Sequence, residues 1–267
     1  MVFARVLRAF GVGGPSVDTV LADPATRPGG RLHGEVRVAG GDYDVLIDNI
    51  VLALVTRAEA EDGEALLEFH RASVAGNFTL AAGAREDIPF TLAVPWETPV
   101  THLAGKPLSG MTMGVRTELS VAKSVDQGDL DGVEVHPLPA QEMILAAFDR
   151  LGFRLRHADV ERGGIYGVRQ ELPFYQEIEY AAPPEYTPSM DEVEVTFVAD
   201  ESGLEVILEF DKRGGLLSEG RDTYARHRVE HAEAAGTDWV SLVEGWVHQA
   251  AYRGTAGFDR RGDSGRL

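Results

Sequence analysis

His227-Arg228-Val229-Glu230-His231 comes nearer to a catalytic metal site than any other segment of this chain. H-x-x-E-H is the pattern of inverted zinc proteases. On a helix, its two histidines share one face and grip a single metal while the glutamate serves as base. A third ligand would have to come from the remaining residues, where Glu233 and Glu244 are candidates that nothing selects. The plainer reading is a polar strand or helix end carrying two surface histidines, and it is preferred because short motifs recur by chance. Asp129-Leu130-Asp131-Gly132 has the look of the middle of a calcium-binding helix–loop–helix. Placing Gly132 sixth in that loop puts Gln127 first and Leu138 twelfth, where a bidentate carboxylate is required. The segment therefore reads as a solvated turn.

Gly11-Val12-Gly13-Gly14-Pro15 lacks the Lys-Ser/Thr ending of a phosphate loop, and Arg261-Gly262-Asp263 is a tripeptide expected by chance. No G-x-S-x-G elbow occurs, and acidic residues are too numerous for paired carboxylates to signal acid–base chemistry. The expectation is a chain that is not an enzyme, with no catalytic residue, cofactor or metal ligand to nominate.

Composition is that of a globular protein. Of 267 residues, 44% are hydrophobic and 25% charged, enough for two ordinary domains each with its own core. The formal charge of −18 argues against nucleic acid as a partner, since phosphate contact needs a basic face. The absence of cysteine removes disulfides, thiolate metal sites and a thiol nucleophile. No apolar run approaches the roughly 20 residues of a membrane span. Arg5 and Arg8 interrupt what would otherwise resemble a signal segment, so a cytoplasmic location is expected.

The elements that must position any site are mostly strands. Leu32, Gly34, Val36 and Val38 alternate with His33, Glu35 and Arg37, a period of two. Val45–Val55, Leu66–Val74, Phe78–Leu80, Ile88–Val94 and Met111–Val121 follow, with turn residues between them. The hydrophilic stretch Asp126–Gly132 reads as a connection between two halves that sets how far they tilt. Beyond it, Gln141–Gly152 has helical spacing, with Met143, Ile144, Ala147, Phe148 and Leu151 on one side and Gly152 placed to stop it. Strands resume at Phe153–Val160, Gln170–Tyr180, Val193–Val198 and Leu204–Phe210. A second helix is expected over Thr237–Tyr252. This predicts a mainly all-β protein of two β-sandwich domains, 1–135 and 136–252, the second carrying both helices, and a flexible tail over 253–267.

Two surfaces offer themselves to a partner. Ile88, Phe90 and Leu92 lie on a strand that holds Pro89, which makes it an edge strand or one that crosses between sheets; at an edge an extended peptide can add. Phe3 and Leu7 would line one side of a short N-terminal helix with Arg5 and Arg8 opposite, a weaker candidate for docking a membrane surface or a partner.

Several passages together resemble the bacterial sporulation-control family called Spo0M, over about residues 3–250. They are Phe10-Gly11-Val12-Gly13 through Val17-Asp18-Thr19-Val20-Leu21, Pro28-Gly29-Gly30, the strand Ile47–Thr56 and Pro95-Trp96-Glu97-Thr98-Pro99. They continue with Val125–Asp131, Leu151-Gly152-Phe153, Leu172–Glu179 and Asp211-Lys212-Arg213-Gly214-Gly215. The resemblance implies an arrestin-like fold, two β-sandwich domains in tandem, and a regulatory role in the cytosol. It brings no catalytic residues. The expected function is thus a non-enzymatic cytoplasmic regulator or adaptor that binds other proteins. The alternative is a peripheral membrane or cytoskeleton-associated scaffold docking through the N-terminal segment. Exposed strand edges also admit a homo-oligomer, without choosing its symmetry.

Overall fold

A computed structural model describes residues 13–60, 63–121, 127–186, 190–211 and 223–253. The first eleven strands are β1 (Ser16–Leu21), β2 (Ala25–Thr26), β3 (Arg31–Ala39), β4 (Val45–Ala60), β5 (Gly63–Leu80), β6 (Arg85–Ala93), β7 (His102–Leu103), β8 (Lys106–Pro107), β9 (Met113–Val121), β10 (Gln127–Gly132) and β11 (Glu134–Val135). They form an antiparallel three-stranded sheet in the order β1-β3-β6 and an antiparallel four-stranded sheet in the order β10-β9-β4-β5. A parallel pair β2-β11 and the small hairpin β7-β8 accompany them. The alternation in β3 works as its sequence predicts: Leu32, Val36 and Val38 are buried beside Ile47, Leu52, Leu54 and Leu119 in a shared core.

Two expectations about this half are corrected. Leu66–Val74 and Phe78–Leu80 are one long strand, β5, because bulges in the pairing at Ile50/Val51 and Leu54/Val55 absorb the irregularity, and Asn77 takes a left-handed backbone (φ 57°) without ending the ladder. The hydrophilic stretch is no loose connection either. Its described part is strand β10, paired along β9 from Gln127↔Leu119 to Gly132↔Gly114. Its polar side chains are needed internally: Asp129, only 2% exposed, accepts the Thr19 backbone N–H at 2.8 Å, and the Thr19 and Thr117 hydroxyls meet at 2.6 Å between the two sheets. A buried carboxylate so bonded ties β10 to β1 across the two sheets of the N-terminal half.

After α1 (Pro139–Arg150), strands β12 (Arg154–Arg162), β13 (Phe174–Ala181), β14 (Glu192–Ala199), β15 (Gly203–Asp211) and β16 (Thr223–Glu230) form one antiparallel meander in sequence order. A 3-10 turn, His231–Gly236, and α2 (Trp239–Arg253) close the described chain. Pro139 opens α1 and the Gln141 side chain reaches back to accept the Leu138 N–H. The helix ends where the sequence places its stop. Gly152 sits at φ 85°, its N–H bonding Asp149 and that of Phe153 bonding Phe148, while the Phe148 and Phe153 rings meet edge to face at 5.3 Å. β13 starts later than its apolar pattern suggests, since Pro173 cannot donate to a ladder and the preceding residues form a loop.

The helices cover one face of this sheet. Phe148 stacks on fully buried Tyr180 and Trp246 stacks on His227 at 4.2 Å. Met143, expected on the apolar stripe of the first helix, is partly exposed, as is Leu242 on the second. The early and late strands are joined by side chains that imitate backbone. Gln176 both accepts from the Val100 N–H and donates to the Val100 carbonyl, at 2.9 and 2.8 Å, and Glu97 accepts the N–H groups of Glu171 and Leu172. Among the described residues, no helix is long and apolar enough to cross a membrane. The described chain is thus mainly β, with two α-helices.

Candidate functional site

The sheet β12–β16 has its helices on one face only, and strand alternation decides what the other face presents. Phe174, Ile178, Val193, Val195, Leu208 and Phe210 point to the core. Their neighbours Tyr175, Glu177, Glu179, Glu194, Ile207, Glu209, Tyr224 and Arg226 point away. Register then aligns like charges. Glu179 stands opposite Glu194, Glu194 opposite Glu209, and Glu209 opposite Tyr224, while Asp159 faces Glu177 and Glu161 faces Tyr175. Like charges directly opposite one another repel, so this row costs folding energy unless it is neutralised.

Some of it is neutralised from within. Arg156 and His157 contact Glu179, and Tyr224 donates its hydroxyl to Glu209 at 2.6 Å. Among the described residues, Glu177 and Glu194 have no ion-pair partner. One carboxylate oxygen each from Glu177, Glu194 and Glu209 lies within 4.8 Å of the others. Partial burial, reinforced by Glu194, pushes the Glu177 carboxyl up to about 8; partial burial, reinforced by Glu209, pushes Glu194 up to about 7. Burial also raises the Tyr175 hydroxyl to about 12. Carboxyls tuned toward neutrality accompany acid–base catalysts as well as crowded charge clusters. Here burial and the strand register account for the shift.

A loop walls this face. The Gln170 side-chain amide donates to the carbonyls of Leu172 and Phe174, at 2.8 and 2.7 Å, and accepts the Ile165 N–H. Arg226 ties the same loop to the sheet, donating to the Gly167 carbonyl and pairing with Glu205. Between loop and sheet lies a cavity of about 500 Å³ lined by Ile165, Val168, Tyr175, Ile207 and the three glutamates. At its mouth Tyr166 is fully exposed and Tyr224 63% exposed. The combination is a pre-formed hollow with an acidic floor and apolar, aromatic sides.

The residues nominated from the sequence lie elsewhere. β6 is indeed an edge strand, with Pro89 opposite Glu35. Phe90 and Leu92, at 7% and 1% exposure, face the core and Ile88 is half-buried, so what this edge offers outward is backbone flanked by Arg85, Glu86 and Asp87. Charges and proline are the means by which edges are guarded against unwanted pairing. Phe3, Arg5, Leu7 and Arg8 fall outside the described residues. The H-x-x-E-H segment spans the end of β16 and the 3-10 turn. There His227 stacks on Trp246 while His231 stacks on Trp96 and contacts the Asp200 carbonyl, so the two rings serve different neighbours. Glu177, Glu194, Glu209 and the three tyrosines were not singled out. Alternation in Tyr175-Gln176-Glu177-Ile178-Glu179 shows which side chains face out, but only register brings those of separate strands together.

Comparison with known proteins fits this architecture. The model of the family described as "SpoOM protein" matches residues 3–214. The sporulation-control protein spo0M of Bacillus subtilis (strain 168) is 36% identical over 253 residues, covering 90% of this chain and 95% of its own. The crystal structure of Spo0M from Bacillus subtilis superposes with a TM-score of 0.77 at 32% identity, over 90% of this chain and all of that one. A likeness of this extent, in sequence and in fold, places the chain in the SpoOM protein family.

Proposed function

We propose that this chain is a non-enzymatic regulator of the sporulation-control type, working in the cytoplasm by docking other proteins. The observation that carries the reading is the outer face of the five-stranded sheet. One side of that sheet is sealed by α1 and α2, while the other is open, acidic and hollowed by a braced loop. A sheet face left uncovered, with aromatic rings at its rim, is what a partner buries on association. The relative from Bacillus subtilis, named for sporulation control, supports the regulatory part. The acidic floor selects basic partners and makes their association sensitive to salt.

The test is site-specific. A photo-crosslinking amino acid placed at position 166 of the full chain, in the native cell, should capture a specific protein whose attachment point maps beside the cavity. Capture of no protein there, with protein crosslinks at other surfaces, would reject this face as the docking site.

A further inference from the structure

We propose that the cavity between the 163–173 loop and the outer face of the five-stranded sheet receives the lysine side chain of an extended basic segment of a partner protein. This rests on the docking reading above and names its chemistry. Three features select the occupant. The first is charge: the open sheet face presents Glu177, Glu194 and Glu209 together, the first two without ion-pair partners among the described residues. No described lysine or arginine pairs with Glu177 or Glu194.

The second is geometry. Three carboxylate oxygens, one from each glutamate, lie within 4.8 Å of one another. Three acceptors around one ammonium nitrogen, each at about 2.8 Å, stand roughly 4.6 Å apart. A compact ammonium with three rotatable donors satisfies such a converging set, whereas the planar guanidinium of arginine prefers both oxygens of one carboxylate. The third is the wall. Ile165, Val168 and Ile207 give an apolar lining for a four-carbon stem, and Tyr166 and Tyr224 stand exposed where the stem enters. Because Gln170 and Arg226 already hold the loop, little ordering is left for the moment of binding.

The experiment uses the full chain and an acetylated, amidated Gly-Lys-Gly tripeptide, with arginine and norleucine counterparts, followed by the tyrosine ring resonances in NMR titrations at neutral pH. The lysine peptide should bind saturably and shift the Tyr166 and Tyr224 signals, the arginine peptide more weakly, and the norleucine peptide not at all. Glu194→Gln should weaken the lysine peptide about tenfold or more, the size of one lost charge-assisted hydrogen bond. Glu177→Gln provides a second variant, and Glu68→Gln, on the other acidic face, should leave binding within about twofold.

Equal binding of norleucine, tighter binding of arginine, or equal losses at Glu68 and Glu194 would overturn the proposal. So would saturation by calcium or spermidine under conditions where the lysine peptide shows none. The crosslink at position 166 separates the two readings. A partner captured there without lysine-peptide binding defeats this inference alone, and no captured partner defeats the docking reading beneath it.

Discussion

The outer faces of the four-stranded and five-stranded sheets meet the same problem, crowded glutamates, in opposite ways. On the four-stranded sheet, Arg71 and Arg116 flank Ala53 from β5 and β9, and Glu68 and Glu118 lie beside them. Arg71 pairs with Glu68 at 2.9 Å and with Glu118, and Arg116 pairs with Glu118 at 2.9 Å and with Glu68. Ala53, between the two arginines in the register, is buried, as are Val51 and Val55 on the same strand. On the five-stranded sheet the corresponding row is Glu179, Glu194 and Glu209, and Arg226 is engaged with Glu205 and the loop. One face is complete in itself. The other leaves Glu177 and Glu194 without an ion-pair partner among the described residues, the place that the proposed ammonium would fill.

The largest effect that sharpens this contrast lies just beneath the acidic face. Phe210→Ala removes a fully buried ring from β15 and should cost about 3–5 kcal/mol in chemical denaturation, whereas Glu209→Ala, one position along, should change stability by less than about 1 kcal/mol. Comparable costs for the two would mean that the faces of β15 are wrongly assigned. In the N-terminal strands, Asp129→Ala leaves the Thr19 N–H without its acceptor and should cost about 1–3 kcal/mol by the same measurement. A neutral result would return the 127–132 segment to a solvated connection.

The third effect is one of pH. Glu177 and Glu194 hold protons more tightly when folded than the ordinary carboxyl value of 4.5. The folded state therefore binds more protons than the unfolded state between about 4.5 and about 8. Their contribution to stability is complete below that window and is lost as pH rises through it. The nearby carboxylates of Asp159, Glu161 and Glu209 push the Glu177 carboxyl in the same direction. Melting temperatures recorded across pH 5–9 should fall less steeply for Glu177→Gln than for the parent chain. A parallel pair of curves would show that the row is already neutralised. Smallest is Arg116→Ala, which opens the closed ionic net; it should cost no more than about 1 kcal/mol, and less at high salt. A larger, salt-independent loss would point to packing over Ala53 as the main role of that arginine.

The sequence by itself determined the class of the fold and much of its punctuation. Alternation in β3 and β15, the two helices, the stop at Gly152 and the edge position of β6 all follow from local rules about which side chains suit a pleat, a helix face or a left-handed turn. Such rules act over a few residues, so they survive without knowledge of neighbours. It failed where distant segments supply the reason for a residue. Asp126–Gly132 looked solvated because nothing nearby explains Asp129, whose partner Thr19 lies in β1.

The acidic cavity belongs to the same class. Glu177, Glu194 and Glu209 sit on three strands whose existence the sequence predicts, yet their meeting depends on the registers of β13 with β14 and of β14 with β15. A slip of one residue would turn each set to the opposite face. Only the packed sheet, held in register by its buried side, decides which charges become neighbours.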